Sequence, residues 1–227
     1  MEYKTKKDEL ILKRISIEKL FSFQKKIASK AKLERYKEPI NYIGGVDQAF
    51  YDNKIISAIV VMSFPDLNII EEKICIMPVE FPYITTLLGF REGPAIMKTV
   101  KMLEKPPDIF LFDGSGVLHP QFCGIATQIG VILNIPTIGV TKSRLCGEYK
   151  KPEKPGEARK IFLKRKHLGY IYLSKKGCNP IFISPGHRIS VEQSLKIVKA
   201  CIKKYKIPMP IMAAHLLANS VKKQIAL

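Results

Sequence analysis

Two acids, Asp113 and Asp47, carry most of the chemical content of this chain. The apolar run IFLF (109–112) ends in Asp113, and Gly114 and Gly116 follow it. A buried strand that hands a carboxylate to a glycine-rich turn is a common way to present a metal ligand. Asp also follows strands simply as a turn residue, so Asp113 alone leaves both readings open. The segment YIGGVDQAFYDN (42–53) tilts the balance, because it sets Asp47 within another β-rich run. Two such acids in a chain of formal net charge +18 point to metal-assisted work on phosphate.

Other residues could join them. Glu92 in GFREGP (89–94) immediately precedes a helix start, where an acid also suits the helix dipole. His215 sits among apolar neighbours in AAHLLA (213–218), a setting in which histidine is usually structural. His119 follows the glycine turn and is placed to bind phosphate, orient a ligand or cap the next helix. Lys142 ends the run PTIGVTK (136–142) within reach of a phosphate, although 38 basic residues make surface charge the ordinary explanation. The loop FPYITTLLGF (81–90) holds Tyr83 among apolar groups; either they fold back as core or the ring wedges into a base stack.

Composition narrows the partners. Lys and Arg number 38 against 20 acids, spread along most of the chain, which favours polyanions and chiefly nucleic acid. At 227 residues there is room for one sizeable domain. The five cysteines are scattered without CxxC or CxxH spacing, which excludes an ordinary structural zinc site, and Cys75 and Cys123 read as core. No apolar stretch could span a bilayer or serve as a signal peptide, so the expectation is a cytoplasmic protein with reduced thiols and no membrane contact.

The elements that must position these residues follow from periodicity. Residues 16–36 read as an amphipathic helix with Leu20, Phe21, Ile27 and Ala28 on one face. Runs 42–51, 54–64 and 70–79 read as strands joined by short turns, hence antiparallel. A loop over 80–93 leads to a helix starting near Pro94, then to the strand 108–112, a helix over 121–133 and a strand over 136–142. Residues 147–160 read as an exposed basic loop in which Lys150, Lys151 and Lys154 could grip phosphate; 161–165, 168–174 and 180–184 are β-like. Ser190 and Gln193 form a capping box for a helix to about Tyr205, and a terminal helix covers 211–220. The order indicates an α/β domain with a mixed sheet, in which the first strand and the strand after the first crossover would set Asp47 beside Asp113.

In order, GGVDQAF, PYITTLLGFREGP, LFDGSGVLHPQFCGIA, PTIGVTKSRLCG and SPGH, over roughly residues 40–217, resemble endonuclease V. The resemblance implies one domain over 1–227, an α/β fold with a ribonuclease H-like mixed β-sheet flanked by α-helices, and a monomer. It implies a DNA repair endonuclease that uses Mg²⁺, with Mn²⁺ able to substitute. Such an enzyme recognises deoxyinosine, the product of adenine deamination, and cuts the second phosphodiester bond on its 3′ side, leaving 3′-hydroxyl and 5′-phosphate ends. By motif, Asp47 and Asp113 correspond to the metal-binding aspartates. Glu92 and His215 complete the metal and water arrangement, directly or through water, and Lys142 joins the catalytic group. Tyr83 corresponds to the strand-separating wedge, and Thr86, Leu88, Gly114, Ile125 and Leu145, with His119, to the lesion-binding region. Two departures stand out: PYIT lacks the second proline common in the wedge, at Thr85, and DGSG carries the smaller Ser115 where DGHG or DGNG is common. Inosine in RNA is the alternative substrate, and a basic module that binds nucleic acid without cutting it is the alternative outside enzymology.

Overall fold

The computed structural model describes residues 16–226. Three strands, β1 (Tyr42–Tyr51), β2 (Lys54–Ser63) and β3 (Ile69–Pro78), form an antiparallel meander as the short turns require. The chain then crosses through the single-turn helix α2 (Leu88–Arg91) and α3 (Gly93–Lys101) to β4 (Ile109–Asp113), which lies parallel to β1. A second crossover through α4 (Ile125–Leu133) delivers β5 (Thr137–Thr141) parallel to β4. Strands β6 (Ala158–Leu163), β7 (Lys166–Tyr172) and β8 (Ile181–His187) return antiparallel and complete an eight-stranded sheet ordered β3-β2-β1-β4-β5-β8-β7-β6.

Helices cover both faces. On one, Ile43, Ala49, Leu111 and Val140 pack against α5 (Val191–Ala200) and α6 (Met209–Ile225) through Ile197, Ile211 and Ala214. On the other, Val46, Phe110 and Phe112 meet Ile96 of α3 and Ile125 and Ile129 of α4. A strand buried on both faces reads as an unbroken apolar run, which is why IFLF shows no alternation. Gly45 permits the closest of these contacts. A Cβ there would strike the backbone of Pro210, so only glycine lets the start of α6 lie against β1.

Several boundaries differ from those that periodicity indicates. The first helix, α1, covers Ile17–Ala28 rather than 16–36. Beyond it the backbone is spent on tertiary bonds, with Arg188 N–H donating to the Lys32 carbonyl at 2.7 Å and Tyr36 N–H to Gln193 Oε1 at 2.8 Å. That second bond also splits the capping box of α5. Ser190 accepts from Gln193 N–H at 3.1 Å, but the Gln193 side chain pairs with the Tyr36 backbone instead of turning back. Helix α4 begins at Ile125 because the chain first turns over residues 119–122, where Phe122 N–H donates to the His119 carbonyl at 2.8 Å and Phe122 lies at φ 54°. The β-like run 161–165 ends early: β6 starts at Ala158, inside the expected basic loop, and Lys164-Arg165 form the turn into β7. Helix α5 stops at Ala200, short of Tyr205, and α6 runs from Met209 to Ile225, beyond both expected ends.

Candidate active site

Strand alternation builds the site. Ile43 and Gly45 precede Asp47 on β1, Ile109 and Leu111 precede Asp113 on β4, and Ile138 and Val140 precede Lys142 after β5. The apolar members of these sets belong to the core beneath α5 and α6, so the period of two carries Asp47, Asp113 and Lys142 to the same face. Register then aligns them: Val46 pairs with Phe112, and Asp113 with Val140. The three charged side chains therefore stand side by side on three adjacent parallel strands. Asp47 lies within β1 just past its pairing with β4, Asp113 at the end of β4 and Lys142 just after β5.

Both aspartates have a partner. Lys142 Nζ donates to Asp113 Oδ2 at 2.5 Å. His215 Nδ1 lies 2.7 Å from Asp47 Oδ2, and Gln48 N–H donates to Asp47 Oδ1 at 2.8 Å. With Asp47 ionised, the shared proton belongs to His215 Nδ1. Asp47 is 7% exposed, and burial, then the charge of Asp113, push its pKa above the ordinary carboxylate range. Glu92 occupies the N-cap position of α3 yet makes no capping bond with its side chain. Burial first, then the repulsion of Asp47 and Asp113, raise its pKa to about 8, against an opposing pull from Arg91.

These residues fit a divalent cation. Three carboxylates destabilise one another's charge, and a lysine ammonium already answers part of it at Asp113. Among the described residues no three His, Cys, Asp or Glu groups form a closed cage. Mg²⁺ is ordinarily held by one or two carboxylates together with waters and substrate phosphates, so an open pair of aspartates suits it.

Beside the carboxylates lies a pocket of about 200 Å³. Its walls include Tyr83, Thr86, Leu88, Gly114, His119, Ile125 and Leu145, bringing together all the residues assigned by motif to the lesion. Thr85 and Ser115, the two departures, also face it. Gly114 is needed at the floor, because a Cβ would collide with Ile125 Cγ2. Tyr83 is 52% exposed at the rim rather than folded into the core. His119 is buried at 2%, with Nε2 donating to the Thr86 carbonyl at 3.0 Å and Nδ1 accepting from Gln121 N–H at 3.2 Å. Burial lowers its pKa to about 4, so the ring is neutral and fixes the wall of the pocket. That geometry suits orientation rather than a charge–charge contact with phosphate.

Two supporting residues escape a reading by motif. Gln24 is fully buried and its Nε2 donates to the Thr86 and Cys123 carbonyls at 2.8 and 3.3 Å, tying α1 to both lips of the pocket. Its place on the apolar face of an amphipathic helix was the available signal. Asn219, one turn after His215 on α6, donates to the His215 carbonyl at 2.8 Å. The spacing of four residues marks it as a neighbour.

Known proteins resemble this chain in sequence and in fold. The sequence profile described as Endonuclease V matches residues 23–216. A curated endonuclease V from Dictyoglomus thermophilum is 37% identical over 217 residues, 95% of this chain and 93% of that protein. Among solved structures, endonuclease V from Bacillus subtilis superposes with a TM-score of 0.88 at 28% identity, covering 93% of this chain and 94% of that one. The Ciona intestinalis endonuclease V, in complex with a 24mer DNA containing an inosine followed by a ribo-adenosine, gives a TM-score of 0.84 at 30% identity, covering 92% and 98%.

Proposed function

This chain belongs to the endonuclease V family, with its α/β, ribonuclease H-like fold, and on that premise we propose that it is a Mg²⁺-dependent DNA repair endonuclease acting at deoxyinosine. It hydrolyses the second phosphodiester bond 3′ to the deaminated base and leaves 3′-hydroxyl and 5′-phosphate ends. The observation that carries this reading is the convergence of Asp47, Asp113 and Lys142 on one face of three adjacent parallel strands, beside a base-sized pocket. A binder of nucleic acid has no use for carboxylates set toward phosphate, which they repel.

Asp47 and Asp113 would hold the cation, with Glu92 and His215 beside them directly or through water. The chemistry supplied by bound Mg²⁺ or Mn²⁺ is polarisation of a phosphoryl oxygen and acidification of water. Once a cation at Asp47 and Asp113 offsets their repulsion and Glu92 ionises, its carboxylate would be suited to accept the proton of attacking water. His215 Nδ1 fixes the orientation of Asp47. Lys142 exchanges its bond to Asp113 for one to substrate phosphate. Tyr83, at the rim, fills the gap left by the extruded base, and the pocket takes that base against Gly114 and Ile125.

The Ciona intestinalis complex, with its ribo-adenosine after the inosine, favours a second reading in which inosine in RNA is cut by the same residues. An end-labelled duplex with one deoxyinosine, its ribonucleotide counterpart and an undamaged control, each with Mg²⁺ and with EDTA, test both. A single Mg²⁺-dependent nick one nucleotide beyond deoxyinosine supports the DNA reading, and cutting confined to the RNA supports the second. Binding without cutting of either, with Mn²⁺ also supplied, leaves only a nucleic-acid-binding module.

A further inference from the structure

The outer end of the sheet holds a second concavity, of about 820 Å³, bordered by Lys150, Arg159, Lys160, Lys164 and Arg165. Tyr149 and Phe162 supply its apolar wall, and Phe162 is 41% exposed. Glu148 is the one acid in the lining. Among the described residues, Arg159 alone of the five cations is ion-paired, with Glu157 at 2.5 Å. Lys151 and Lys154 of the basic loop do not face this groove.

Positive charge on an edge strand is ordinary protection against unwanted pairing. That need is already met at this point of β6, because Glu148 and Phe162 exchange both backbone hydrogen bonds, at 2.8 and 2.9 Å. The turn from β6 to β7 is more telling. Lys164 and Arg165 are its two central residues, with φ of 49° and 63°. A two-residue hairpin turn with both φ values positive selects Asn-Gly or similar pairs, since a Cβ is strained there. The chain carries two cations instead, at the lip of the groove, and Lys166 follows them.

Packed side chains, not open space, link the groove to the candidate active site. The Tyr149 ring meets Phe182 edge-on with centroids 5.5 Å apart. Phe182 shares a small cleft with Ser115, Thr141 and Leu145, and those three also wall the base-sized pocket. We propose that the β6–β7 groove is a second nucleic-acid contact, which grips the phosphodiester backbone of the substrate beyond the segment held at the pocket. Lys160, Lys164 and Arg165 supply the charge and Phe162 the apolar floor. The inference rests on the nuclease reading for the identity of the polymer, not for the grip itself.

The test is the double substitution Lys164→Asn with Arg165→Gly, which relieves the turn while removing both charges. Binding is read by fluorescence anisotropy in EDTA, using duplexes of about one and about three helical turns, with and without deoxyinosine, and a form of the long duplex with an unpaired flank. The parent should bind long duplexes more tightly than short ones. The variant should melt no lower than the parent, lose roughly tenfold in affinity for the long duplex, and show a salt slope smaller by about 1–2. Loss confined to the form with the unpaired flank assigns the groove to single strands. A variant that melts at or above the parent and keeps its length dependence and salt slope overturns the proposal. Nicking of the short deoxyinosine duplex separates the two readings, since it should be equal in parent and variant. If neither nicks yet the variant loses long-duplex binding, the nuclease reading fails and the groove stands.

Discussion

Asp113 faces two demands of opposite sign, and one substitution resolves them. In the proposed role its carboxylate would help to hold a cation, yet without that cation it would repel the phosphate it must approach. Asp113→Asn keeps the shape and removes the charge. Cleavage in Mg²⁺ should fall on the order of 10²–10³-fold in kcat, while affinity for deoxyinosine DNA measured in EDTA should hold or tighten. Binding that weakens along with cleavage would instead assign Asp113 to substrate contact. His119 makes a different prediction, through its pKa of about 4. A histidine whose folded pKa lies below its unfolded value stabilises the fold above the unfolded value, near 6.5, and that stability drains away as pH falls toward 4. Between neutral pH and about 4.5 the loss is about 2–3 kcal/mol. His119→Gln should start less stable at neutral pH, because a buried bond is weakened, but should lose less on acidification. Denaturant melts of both proteins at the two pH values measure the difference, and equal losses would mean that His119 is not held neutral.

At the scale of elements, the site depends on α6 lying against β1, and Gly45 is where the two backbones meet. Gly45→Ala inserts a methyl group against the Pro210 carbonyl region, where only main chain can yield. Overpacking of this kind costs about 1–3 kcal/mol, and the helix that must shift is the one that carries His215 to Asp47. Both melting temperature and kcat should therefore drop, with the affinity for DNA nearly unchanged. A parental melting temperature would show that α6 finds another seat. The same scale explains what could be read without coordinates. Asp47 and Asp113 were legible because apolar runs marked their strands and crossover topology made the strands neighbours. Lys142 follows from the same alternation. Gln24 was not, since its importance lies in two carbonyls 62 and 99 residues away. The bounds of the β6–β7 hairpin were misread because Lys164-Arg165 hold a turn conformation that glycine and asparagine normally announce. The end of α1 erred because tertiary bonds, such as Arg188 N–H to the Lys32 carbonyl, claim the backbone beyond it.

The whole molecule combines a net charge of +18 with a small anionic focus, and the two act in sequence. In the proposed function the broad positive field would draw nucleic acid to the surface, and the three acids would then need a cation before a phosphate could settle among them. Without that cation the focus works against folding. Glu92, pushed up to about 8 by burial and by Asp47 and Asp113, favours the folded state while protonated. A carboxyl whose folded pKa exceeds its unfolded value gives stability that is complete below about 4.5 and is lost as pH rises through about 8. Asp47, raised by the same causes, adds in the same direction. A divalent cation should offset this loss, so Mg²⁺ should raise the melting temperature more at pH 8.5 than at pH 6. At tenfold excess over its Kd, binding contributes about 1.4 kcal/mol, or roughly 3–5 °C for a chain of this size. Asp47→Ala and Asp113→Ala should each abolish most of that shift. The readout needs no substrate, so it tests the cation site independently of DNA cleavage. A shift of equal size at both pH values, or one that survives either substitution, would place Mg²⁺ elsewhere on the protein and detach the carboxylates from the role proposed for them.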